Sequence, residues 1–87
     1  MNDEEKVALR QEILRESYAE IVFGFLRYFR ENNIDEHDKD NPIVLLFDIS
    51  VDIYKNIFVK YDILEEMIEV QGQYKLLKKI LEEQIRK

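Results

Sequence analysis

The chain has 87 residues with no cysteine, two glycines, one proline and one histidine. Disulfides and thiolate metal sites are therefore excluded, and most enzyme signatures lack their raw material. Hydrophobic residues make up 46% and charged residues 37%, which excludes a low-complexity tail, and a net charge of −6 argues against direct binding to nucleic acid or to anionic lipid.

A chain this short buries only a modest core, so long helices or a second subunit must supply the rest. The expected organisation is a single helical domain spanning residues 1–87. The longest charge-free stretches, Ile21 to Leu26 and Asn41 to Phe47, fall far below the ~18 apolar residues of a membrane span. The acidic start Asn2-Asp3-Glu4-Glu5 lacks the basic region of an export signal, and the expected location is the cytoplasm.

The first helix is expected over about residues 3–32. Leu14, Tyr18, Ile21, Phe25 and Tyr28 recur in alternating steps of four and three, and Val22, Leu26 and Phe29 widen the stripe. Asn2 is placed to cap it, with acidic residues in the first turn matching the helix dipole. Asn32-Asn33 stops it, and an acidic loop over 33–41 follows. Asn41-Pro42 reads as N-cap and first helical residue of a second helix over 42–60. Its apolar face is read as Ile43, Leu46, Phe47, Ile53, Tyr54, Ile57 and Phe58.

A continuous helix from Pro42 onward would place its two apolar faces about 135° out of phase, so a turn is expected near Tyr61. Asp62 and Glu65 have the spacing of a capping box, and the third helix is expected over 62–86. Ile63, Met67, Val70, Tyr74, Leu77 and Leu81 form its stripe, which passes through Gly72 in phase. The fold class is thus all-α, a three-helix bundle with a long first helix; the alternative has four helices, broken near Gly72. At about 45 Å the first helix overhangs the other two, which points to a homodimer.

Catalytic constellations fail one by one. His37, the sole histidine, has Ile34 three residues before it, so no Glu-x-x-His di-iron pair exists. The acidic loop lacks the glycine and the terminal glutamate of a calcium-binding EF-hand. Glu66 and Glu69 make one Glu-x-x-Glu pair, without the downstream partner that a helical pyrophosphohydrolase needs. Ser17 and Ser50 have no base nearby in sequence. No catalytic, cofactor or metal residue is assigned, and the chain is read as a non-enzyme. Lys75, Lys78, Lys79, Arg86 and Lys87 form a C-terminal basic patch that suits a helix C-terminus.

The informative anomaly is Phe23, placed about 150° from the centre of the first helix's stripe among Glu12, Glu16, Ala19, Glu20 and Arg27. An aromatic there reads as an anchor for another protein, and these six residues are the candidate binding site. Glu12, Glu16 and Glu20, four residues apart, can meet a basic partner or imitate a row of phosphates. The leading function is an inhibitor or antitoxin acting by direct contact. The alternatives are an acidic nucleic-acid mimic and a structural homodimer.

Glu12-Ile13-Leu14-x-Glu16-x-x-Ala19, continuing to Leu26-x-Tyr28, together with Leu64-Glu65-Glu66 resembles the epsilon antitoxins of plasmid epsilon/zeta toxin–antitoxin systems. The similarity in layout covers most of the chain, while residues 42–60 depart from it, notably at Asn41-Pro42. The resemblance implies a cytoplasmic helical bundle that neutralises a nucleotide-using kinase toxin, with the first helix obstructing the toxin's nucleotide site. The matching positions are Glu12, Glu16 and Ala19. Soluble helical bacteriocin-immunity proteins share the outward features.

Overall fold

A computed structural model describes residues 2–85. It contains α1 (Asp3–Glu31), α2 (Pro42–Lys60) and α3 (Leu64–Ile85), packed in pairs as an up-down-up bundle. The expected three-helix, all-α architecture is what is found, and α3 runs unbroken through Gly72. Gly72 is exposed, and a Cβ added there would meet nothing within 4 Å, so the residue neither breaks nor packs the helix.

Local chemistry sets the helix ends. The Asn2 side chain accepts a hydrogen bond from the Glu5 N–H at 2.8 Å, and Asn41 accepts one from the Ile43 N–H at 2.9 Å ahead of Pro42. Helices α1 and α2 stop by the same device. Asn33 (φ 53°) and Asp62 (φ 55°) adopt the left-handed conformation just after the caps Asn32 and Tyr61. The Ile34 N–H then reaches back to the Phe29 carbonyl, and the Ile63 N–H to the Phe58 carbonyl, at 2.8 and 2.9 Å. In each case an aliphatic side chain follows the turn and an aromatic one stands two residues before the helix end, the pairing that accompanies this kind of stop.

This corrects one expectation. Asp62 closes α2 and does not cap α3, because a left-handed residue cannot also take the extended conformation of an N-cap. The third helix therefore begins at Leu64, two residues later than expected. Its expected end at residue 86 lies outside the described residues, as do Arg86 and Lys87 of the basic patch.

The core joins Tyr18 and Val22 of α1, Phe58 of α2, Ile63 of the turn, and Met67 and Val70 of α3. Tyr18 meets Tyr54 and Phe58 with ring centroids 5.2 and 5.6 Å apart. Toward the other end Phe25, Phe29 and Phe47 pack mutually at 5.1–5.8 Å, and Phe47 stacks on Tyr74. The few polar groups drawn inward are paired. Gln71 donates to the Tyr18 hydroxyl at 3.2 Å, and the Ser17 and Tyr54 hydroxyls share a 2.5 Å hydrogen bond.

Two helices are rotated from their expected faces. In α1 the buried residues are Tyr18, Val22, Leu26 and Phe29, while Tyr28 is largely exposed. In α2 the inward residues are Val44, Phe47, Val51, Tyr54 and Phe58, whereas Leu46 and Ile53 point outward. Helix α2 is apolar over more than half its circumference, so periodicity alone admits either face. The deciding factor is the pair of aromatic clusters contributed by α1.

Burial raises the pKa of the Tyr18 hydroxyl, opposed in part by its hydrogen bond to Gln71, and burial alone raises that of Tyr74. The unfolded chain releases both protons first as pH climbs, so it binds fewer protons than the native state above pH ~10. Stability from these two groups is complete below that pH and is lost progressively above it. Urea unfolding at rising alkaline pH is expected to show a falling midpoint, with a shallower fall in Tyr18→Phe.

Candidate functional site: the groove between α1 and α3

Helix α1 runs beside α3 with its C-terminal half facing Leu77 and Leu81. Ala19, Glu20, Phe23, Gly24, Leu26, Arg27 and Arg30 form one wall of an open depression of about 640 Å³, and Leu77 and Leu81 form the other. Four of the six residues singled out from the sequence, Ala19, Glu20, Phe23 and Arg27, thus converge on one groove. Glu12 and Glu16 line the next depression along the same seam, with Ala19 shared and Glu66, Val70 and Gln73 opposite.

Phe23 does not stand alone among charges on the far side of α1. Because the buried face is centred among Tyr18, Val22, Leu26 and Phe29, Phe23 lies about 105° from it rather than about 150°. The ring is half-buried in the groove. A Cβ built on Gly24 would meet nothing within 4 Å, so the backbone beside the ring stands open.

The groove is electrically divided. At its acidic end the Arg15 guanidinium reaches Glu69 at 3.2 Å and Glu66 at 3.7 Å, tying α1 to α3. Each such half-exposed pair contributes about 0–1 kcal/mol, so the bridge aligns the helices more than it holds them. Glu12, Glu16 and Glu20 remain exposed beside it. At the other end Arg27 and Arg30 are exposed next to Phe23, Leu77 and Leu81. The arrangement can grip a complementary surface through one aromatic and two leucines while charges of opposite sign fix its direction.

Leu77 and Leu81 belong to the α3 stripe expected from spacing, which by itself does not link them to Phe23. Leu77 is 38% exposed, so it is a groove residue more than a core residue. The available signal was the stripe's length, which runs past the core toward the C-terminus.

The acidic loop is pinned at the same end. The Glu36 carboxylate accepts a hydrogen bond from the Tyr74 hydroxyl at 2.6 Å and pairs with Lys78, and Lys39 pairs with Asp48 at 2.8 Å. His37 is exposed, 3.7 Å from Glu36. Among the described residues no group of three or more histidine, aspartate or glutamate side chains is placed to hold a metal ion, and no helix is long and apolar enough to cross a membrane.

Fold and groove define a small three-helix protein with an open, charge-divided groove along its longest helix. The chain belongs to the bacterial epsilon antitoxin family, whose model matches residues 3–84. No curated relative and no solved structure matches it. The match bears out the resemblance read from Glu12-Ile13-Leu14 and the residues that follow, and it takes in the 42–60 segment where the likeness was weakest.

Proposed function

We propose that this chain is a non-catalytic cytoplasmic antitoxin that neutralises its toxin by seating the α1–α3 groove on it. The observation that carries the reading is the convergence of Ala19, Glu20, Phe23 and Arg27 with Leu77 and Leu81 on one open seam. The resemblance implies a nucleotide-using kinase as the toxin. The exposed carboxylates Glu12 and Glu16 would then lie over the toxin's nucleotide site, where cations that hold phosphate are expected. The test is co-expression with a nucleotide-using kinase toxin of the kind the resemblance implies. The wild-type chain is expected to restore growth and to co-purify with the toxin, and Phe23→Glu to do neither while keeping its helicity. Unimpaired rescue by that variant would refute the groove.

A homodimer is a second element of the proposal. Leu45, Leu46, Ile49 and Ile53 are all about half exposed along the outer side of α2, a continuous apolar stripe of the kind that a second copy can cover. Sedimentation is expected to give twice the monomer mass at micromolar concentration, and Ile49→Glu/Ile53→Glu to give the monomer mass. A monomeric wild-type chain would remove this element and leave the toxin-binding reading intact.

A further inference from the structure

We propose that the groove between the N-terminal half of α1 and the end of α2 docks an acidic, amphipathic helix of a partner protein. Leu9, Ile13, Leu14, Ile57 and Tyr61 line this groove, which is open and encloses about 550 Å³. Lys6, Arg10 and Lys60 are its remaining lining residues, so every charged group that lines it is a cation. That is unusual in a chain with 13 basic and 19 acidic residues. None of the three forms an ion pair among the described residues.

Local chemistry accounts for single members of this cluster but not for their convergence. Lys60 sits in the last turn of α2, where a cation suits the helix dipole. The Arg10 guanidinium lies 4.6 Å from the centre of the Tyr61 ring. Lys6 and Arg10, four residues apart on one helix, repel each other mildly, and Lys6 has no such compensation. Three cations gathered around exposed Leu9, Ile13 and Tyr61 match a ligand that brings carboxylates and apolar groups together.

Geometry selects a helix as that ligand. The groove runs between two antiparallel helices, and its walls are side chains one turn apart, the surface into which a third helix lays its ridge. A membrane fits less well. Three cations contribute about 1 kcal/mol each at an anionic surface, and the chain as a whole, at −6, is repelled by it. The surface is separate from the α1–α3 groove and does not depend on what that groove binds.

The experiment titrates the isotope-labelled full chain with a synthetic helix of about 18 residues, leucines on one face and glutamates on its flanks. A twin peptide carries lysines in place of the glutamates. The acidic peptide is expected to move the amide resonances of Leu9, Ile13, Ile57 and Tyr61 and to bind at least about tenfold more tightly than its twin. Lys6→Glu/Arg10→Glu should abolish the preference, Lys6→Gln/Arg10→Gln should weaken it with helicity intact, and Phe23→Glu should leave it unchanged. Equal binding of the two peptides, shifts confined to the α1–α3 groove, or preferential binding to phosphatidylglycerol vesicles would each overturn the proposal. Self-association lost on charge reversal would do so as well, since the groove's occupant would then be a second copy.

Discussion

Phe58→Ala is expected to destabilise the chain by about 3–5 kcal/mol, the range for removing a fully enclosed aromatic side chain. The ring has no exposed surface, packs edge-on against Tyr18 of α1, and belongs to the core cluster that includes Ile63 of the turn and Met67 and Val70 of α3. It is also the last core residue before the left-handed turn at Asp62, where its own carbonyl accepts the Ile63 N–H. Removing the ring therefore leaves a cavity and takes away the apolar contact that seats the turn. For a domain at the lower end of the usual 5–15 kcal/mol, that is most of the available stability. Urea unfolding should show it directly. The control is Val59→Ala, also an apolar residue of α2 but more than half exposed and away from the outer stripe, for which less than about 1 kcal/mol is expected. Similar losses for the two variants would mean that α2 presents its other face to the core.

The second large effect is expected on toxin binding under the proposed seating of the α1–α3 groove. Phe23→Glu puts a carboxylate against Leu77 and Leu81 at the centre of the α1–α3 groove. Truncating an aromatic anchor costs about 2–4 kcal/mol at an interface, a loss of roughly 30- to 1000-fold in Kd, and a desolvated charge adds to this. The free chain is expected to lose little, because the ring is only half-buried in it. Phe23→Leu, which keeps an apolar filling, should retain most of the affinity. Glu12→Gln/Glu16→Gln should act differently, slowing association and flattening its dependence on salt, since exposed charges steer more than they hold. Calorimetry and stopped-flow mixing with the purified toxin separate these behaviours. A Phe23→Glu variant that binds like the wild type would place the contact elsewhere on α1.

Most of what the amino-acid sequence determined by itself concerns helix ends and helix count. Asn2, Asn32-Asn33 and Asn41-Pro42 act within one turn of their own positions, so their effect is readable without knowing any neighbour. The phase difference across Tyr61 likewise demanded a turn wherever the helices lay. Asp62 marks the limit of such reasoning, since an aspartate serves equally as a cap or as a left-handed stop. Ile63 settled the matter by packing into the core beneath Phe58.

What tertiary structure alone decided is which side of each helix faces inward. In α2 the apolar arc is so wide that Leu46 and Ile53 were as eligible for burial as Val44 and Val51. The choice fell to shape, because only one rotation lets Phe47, Tyr54 and Phe58 interleave with Tyr18, Phe25 and Phe29. The same rotation in α1 carried Phe23 to the edge of α3 and made a groove from residues that sequence spacing could only call unusual. Periodicity records how apolar side chains are distributed around one helix. Where they are buried depends on the volumes of side chains from another, and that information is not local to either segment.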